Sequence, residues 1–278
     1  MRRRAFVATG FAFLTTPAWA AGRGKDRLII KGAMEQGSLA LGYADPRAKA
    51  KIDGQAVRLS PDGVFAFGFA FDQTKPSLVE VTWSDGTIET QSYSPSARQY
   101  DIQHINGLPQ NTVTPPPEVL ARIKQEAGEI YVARQRDTLG SDFLSGFDWP
   151  APGTESGVFG SQRIDNGVPM APHFGVDMAA PTGTPIHAPA DGTVSLSADH
   201  FLNGGFTLID HGQGVSTSYL HQSKRLVKNG DVVRRGQLIG EIGQTGRATG
   251  PHLHWAMNWF EVKLDPSRST KKPKPEKL

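Results

Sequence analysis

Apolar residues alternate with polar or small ones through the first hundred positions, and the alternation has the period of strands. The clearest segment is Val64 to Phe71. Phe65, Phe67, Phe69 and Phe71 fall on one face there, and Val64, Ala66, Gly68 and Ala70 on the other. Short apolar runs begin at Leu28-Ile29-Ile30 and are broken by Asp53-Gly54, Asp62-Gly63 and Asp85-Gly86. About seven strands at this spacing predict an immunoglobulin-like sandwich over residues 27–105, with the phenylalanine stripe as its core.

The period changes after Asn106. Thr114-Pro115-Pro116-Pro117 is a stiff break that suits the first turn of a helix. Leu120, Ile123, Ala127, Ile130, Tyr131 and Arg134 then follow helical spacing, which predicts one helix over about 117–136 within a linker of residues 106–146. Its narrow apolar stripe suits docking on a neighbour, and no chemistry is legible on it. From Phe147 glycine and proline become dense. Segments at 193–196, 205–210, 214–220, 232–233, 237–242 and 253–260 read as strands, separated by Asp191-Gly192, His211-Gly212, Asn229-Gly230 and Arg235-Gly236. The expected fold class is all-β: an immunoglobulin-like sandwich, a connector helix, and an antiparallel β domain over 147–266.

Charge and composition narrow the function. Arg2, Arg3 and Arg4, the apolar run from Ala5 to Thr16, and Ala18-Trp19-Ala20 form the basic, apolar and small-residue pattern of a secretory signal over residues 1–20. Arg3-Arg4-Ala5-Phe6 also resembles a twin-arginine start. No later apolar run has spanning length, so export to the periplasm or envelope without a membrane span is expected. The formal charge of +3 is terminal in origin. The signal holds three arginines, and the tail over 267–278 sets five basic residues against Glu276, which predicts a disordered basic extension. The body between them is slightly acidic, so a nucleic-acid partner is excluded. There is no cysteine, which excludes disulfides, thiolate metal sites and a cysteine nucleophile.

The chemistry-bearing stretch is Gly250-Pro251-His252-Leu253-His254-Trp255. On a strand His252 and His254 share a face and Leu253 points away. His173 and Asp177 stand in Pro172-His173-Phe174-Gly175-Val176-Asp177. His173, Asp177 and His254 together make a nitrogen and oxygen donor set of the kind found at catalytic zinc, with a fourth position for water. Turn residues flank His187, His200 and His211, which read as surface or hydrogen-bonding groups, and His104 falls in the last strand of the sandwich or the linker. Arg163 and Asn166 precede His173 and are candidates for a groove lining.

His173-Phe174-Gly175-Val176-Asp177, Tyr219-Leu220-His221 and Gly246-Arg247-Ala248-Thr249-Gly250-Pro251-His252-Leu253-His254 resemble the lysostaphin-type zinc endopeptidase family, as do Val227 to Gly240 and Ala188-Pro189-Ala190-Asp191-Gly192. The likeness spans about residues 145–266. It implies one zinc ion held by His173, Asp177 and His254, with His221 and His252 as catalytic residues beside the bound water, and peptidoglycan stem-peptide cross-links or interpeptide bridges as substrate. The residue after the H-L-H aromatic is often acidic in that family and is Ala256 here. Three rival readings remain: a metal-free activator of a cell-wall amidase, a carrier domain with a modified lysine, and a structural envelope-binding protein. The first predicts missing ligands, and none of the five residues is missing. The second needs a Met-Lys hairpin tip, which the chain lacks. The N-terminal domain is a candidate contact for an envelope regulator.

Overall fold

The computed structural model describes residues 27–107 and 110–271. The signal pattern of residues 1–20 and the tail beyond Lys271 lie outside the described residues. Among the described residues no helix is long and apolar enough to cross a membrane.

Seven strands build the N-terminal part: β1 (Ile29–Gly32), β2 (Leu39–Tyr43), β3 (Lys49–Ile52), β4 (Gln55–Val57), β5 (Val64–Gly68), β6 (Ser77–Thr82) and β7 (Ile88–Tyr93). They form two antiparallel sheets, β1-β2-β5 and β4-β3-β6-β7. Phe65, Phe67 and Phe69 are fully buried between them with Ile52, Val79, Val81 and Trp83. Phe71 lies past the end of β5 and leaves this core, packing on Tyr100 and Phe174 instead.

The small-residue face of β5 is buried too. Ala66 belongs to the core of the C-terminal half, and a Cβ on Gly68 would stand 2.8 Å from Leu264 Cδ2. Small side chains let the two halves approach along this strand. Gln213 completes the contact: its side-chain amide accepts from Ala66 N–H (3.1 Å) and donates to Val64 C=O (3.0 Å), satisfying the open edge of β5.

β8 (Ile102–Ile105) ends this region but pairs, in parallel, with β10 (Gln162–Asp165), which also pairs with β11 (Val168–Pro169). A helical turn α1 (Gln110–Val113) leads to α2 (Pro117–Arg134). The docking face of α2 differs from the predicted stripe. Leu120 and Tyr131 are half exposed, whereas Ile130 and Glu126 are buried. Ile130 packs on Phe206 and Leu208, with Ala133, Leu196 and Leu220 around them. The Glu126 carboxylate accepts from Phe201 N–H at 2.9 Å, which lets an acid occupy the face.

The C-terminal half is one ten-stranded sheet. Its strands are β9 (Thr154–Gly157), β12 (Val176–Ala179), β13 (Pro185–His187), β14 (Gly192–His200), β15 (Gly204–Asp210), β16 (Val215–Arg225), β17 (Val232–Val233), β18 (Leu238–Ile242), β19 (His252–Trp259) and β20 (Val262–Leu264). The main order is β17-β14-β15-β16-β19-β12-β9, with β18 on β16 and β13, and β20 on β19. One face carries the large core, including Val176, Tyr219, Leu253, Trp255 and Phe147. The tail, expected to be disordered from Ser267, is held as far as Lys271. Pro266–Ser269 forms a 3-10 turn, Arg268 pairs with Glu35 (3.0 Å), and Lys271 N–H donates to Phe147 C=O.

Candidate metal centre and active site

The site is assembled where β12, β16 and β19 lie side by side. Asp177 is paired with His254 across β12 and β19, and Leu220 with His254 across β16 and β19, so these side chains share one face. Leu253 and Trp255 point into the core behind. His173 precedes β12 in a loop fixed by its own N–H to Ser161 C=O (2.8 Å) and by Gly160 N–H to His173 C=O (2.7 Å).

Three donor atoms converge. His173 Nε2 lies 2.9 Å from Asp177 Oδ1 and 2.8 Å from His254 Nδ1, and His254 Nδ1 lies 2.8 Å from Asp177 Oδ1. His173 Nδ1 is committed as donor to Val158 C=O (3.1 Å), which leaves the Nε2 lone pair aimed at the cluster. Two nitrogens and a carboxylate oxygen facing one point are the donor set of a metal ion. Burial raises the Asp177 carboxyl, but the charge and hydrogen bonds of His173, then His254, outweigh it and hold the group well below the usual range. Burial lowers His254 to about 4 against the opposing pull of Asp177, so the ring is neutral and able to ligate.

Two more imidazoles adjoin. His221 and His252 have ring centroids 4.7 Å apart, and His221 is 6.3 Å from His254. Simple alternation would turn His221 away from Leu220 and into the core. A register shift between β15 and β16 and a left-handed backbone at His221 (φ 64°) re-aim it instead. Its N–H donates to Asn203 C=O and its Nδ1 to Thr245 C=O, both at 2.8 Å. His252 Nδ1 donates to Gly250 C=O at 2.8 Å, and its Nε2 lies 3.9 Å from Asp177 Oδ1. Both rings therefore turn an unprotonated Nε2 away from these carbonyls. Burial, then the neighbouring His252 and His254, lowers His221 to about 3.

The structure thus gathers all five residues singled out by sequence, and it sets the others apart. His211 is fully buried, with Nδ1 donating to Asp191 C=O (2.6 Å) and Nε2 beside Thr217 Oγ1 (2.8 Å). His200 is buried under α2. Sequence reasoning missed two glycines: a Cβ on Gly157 would meet Asp177 Oδ2 at 2.4 Å, and one on Gly175 would meet His254 Nε2 at 2.6 Å. It also missed the depth of Arg163, whose guanidinium donates to Asp177 Oδ2, and the place of α2. Ala127, Ile130, Tyr131 and Arg134 line a cavity of about 340 Å³ whose far wall includes Phe174 and His254.

A sequence profile of Peptidase family M23 matches residues 171–266. The crystal structure of an M23 peptidase from Pseudomonas aeruginosa shares 31% identity and a TM-score of 0.67, covering 85% of this chain and 95% of that one. The chain is a member of peptidase family M23, the lysostaphin-type metallopeptidases. Peptidoglycan DD-endopeptidase ShyA of Vibrio cholerae is 50% identical over 88 residues, 32% of this chain and 20% of its own. DD-carboxypeptidase/endopeptidase Mpg of Neisseria meningitidis is 46% identical over 83 residues, 30% of this chain and 19% of its own. The chain therefore matches about a fifth of the length of either relative.

Proposed function

We propose that the chain is a zinc-dependent endopeptidase that hydrolyses peptide cross-links or bridges of bacterial peptidoglycan outside the cytoplasm. The carrying observation is the convergence of His173 Nε2, Asp177 Oδ1 and His254 Nδ1 beside two further imidazoles. Two histidines and one aspartate suit zinc, and three protein ligands are the count of catalytic rather than structural sites. The names of ShyA and Mpg support a peptidoglycan substrate, and the pattern of residues 1–20 supports export.

In this reading His173, Asp177 and His254 hold the ion. Bound there, zinc supplies a Lewis acid and a water whose pKa falls to roughly 7. The chain's own residues do the rest. Arg163 fixes the second carboxylate oxygen of Asp177, keeping Oδ1 turned to the cluster. His221, neutral because burial opposes its charge, accepts a hydrogen bond at Nε2 and orients the attacking water. His252 is less deeply buried, and in this reading it passes a proton from its Nε2 to the leaving amine. Phe174 and α2 form a wall on one side. Residues 147–266 are the catalytic unit, and the sandwich and α2 supply walls.

Purified peptidoglycan incubated with the chain, with chelator and with zinc restored, tests the reading. Cross-linked fragments should convert to monomers only when zinc is present. Unchanged cross-linking with zinc bound at one per chain would count against it.

A further inference from the structure

A second cavity, of about 270 Å³, adjoins the donor cluster, shares Asp177 with it and is also lined by His252. Two guanidiniums border it, from Arg163 on β10 and Arg247 in the loop before β19. Arg163 is already engaged with Asp177. Arg247 is held only by a longer ion pair. Its backbone is pinned by N–H to Leu202 C=O at 2.8 Å, but its guanidinium makes no hydrogen bond among the described residues. The nearest acid is Asp165, 3.8 Å away, 1% exposed, with its other oxygen buried and unpartnered. Asp165 stands behind Arg247 and orients it without neutralising its outer edge. A guanidinium three-quarters withdrawn from water, with one acid at 3.8 Å and no hydrogen bond among the described residues, favours a second anion, and a carboxylate matches its fork.

The position of the cavity says what carries that anion. It adjoins the reacting centre, so the group belongs to the substrate close to the scissile bond. In a peptide bond between two D-centres, the carbon bearing the scissile nitrogen also bears a carboxyl group. In a cross-link made through the side-chain amine of a diamino dicarboxylic acid this carboxyl is free, and in a terminal D-alanyl-D-alanine it is the chain terminus. In a glycine bridge the same carboxyl is consumed in the next peptide bond.

We propose that Arg247, backed by Asp165 and flanked by Arg163, is the subsite for a free α-carboxylate on the residue that supplies the amine of the scissile bond. This rests on the peptidoglycan-hydrolase reading and narrows it. The chain selects D,D-bonds with an unamidated amine-side residue and disfavours glycine bridges. One pocket then serves both a cross-link and a terminal D-alanine.

The test uses the zinc-loaded full chain and two cross-linked stem-peptide dimers that differ only in a carboxylate or carboxamide beside the scissile nitrogen. Wild type should prefer the carboxylate about tenfold to a hundredfold in kcat/KM, carried mainly by KM, as for one charge-assisted hydrogen bond pair. Arg247→Gln should bring that ratio close to one, and Arg247→Lys should leave part of it. Equal KM of wild type for both dimers overturns the subsite, a result that needs no variant. So does full preference in a folded Arg247→Gln. If wild type cleaves neither dimer, the hydrolase reading fails separately, and calorimetric binding decides the subsite: selective binding of the carboxylate form upholds it, and equal binding or none overturns it.

Discussion

Phe71 and Phe174 meet edge to face with ring centroids 5.1 Å apart, joining the end of the sandwich stripe to the residue after His173. Tyr100 and Phe159 close the cluster, and Tyr100 O–H donates to Phe71 C=O at 3.0 Å. The loop that carries His173 is therefore braced by the other half of the molecule. Phe71→Ala should cost about 1–3 kcal/mol, seen as a fall of several degrees in Tm. Turnover should fall while zinc stays bound, since the ligand atoms themselves are untouched. An unchanged Tm would show that the brace contributes nothing.

The two histidines of β19 should separate cleanly. His254→Ala removes a donor atom from the cluster and should lose zinc, and activity with it. His252→Ala and His221→Ala leave the three donors in place. Zinc by atomic emission should stay near one per chain while turnover falls on the order of a hundredfold or more. Loss of metal in His252→Ala with retention in His254→Ala would reverse the assigned roles.

Two glycines and one arginine set the ligand geometry. Gly157→Ala and Gly175→Ala place a methyl against Asp177 and His254 respectively, so each should yield a folded chain with weakened zinc binding. Arg163→Gln releases Asp177 Oδ2 and should raise the zinc Kd about tenfold to a hundredfold. Competition with a chromophoric chelator reads all three, and wild-type affinity in any of them would remove it from the list of positioning residues.

His211 makes stability fall in acid. Burial lowers its pKa to about 4, against an unfolded value of 6.5, with the Asp191 carbonyl opposing. The unfolded chain thus binds a proton that the folded chain refuses between these values. The stability due to neutral His211 is complete above pH 6.5 and is lost progressively as the pH falls toward 4, by about 3 kcal/mol in all. Urea midpoints measured from pH 7 to pH 4 should fall, and His211→Gln should fall less steeply from a lower start. Parallel curves for the two proteins would rule out this source of acid sensitivity.

The strands of the first half and the long strands of the second were legible because their alternation and turn residues are local signals, whereas β9, β10, β11 and β13 were not predicted. That His252 and His254 stand together was legible because H-x-H on a strand fixes two side chains to one face. Arg247 was quoted only as part of a motif, since its place beside Arg163 depends on two loops whose paths no periodicity reports. The small face of β5 gave no sign of a partner, because Ala66 and Gly68 look the same beside solvent or beside Leu264. The helix misled in detail: Leu120 completes an apolar stripe on paper, yet α2 docks through Ile130 and tolerates buried Glu126, which only the Phe201 amide explains.

α2 stands on the same face of the sheet as the donor cluster and bounds the cavity beside His254. The bed over the cluster therefore has a wall on the helix side. On the proposed reading, a bridge welded into a continuous mesh has no loose end to thread past that wall and is met side-on, as a branch lowered into a notch.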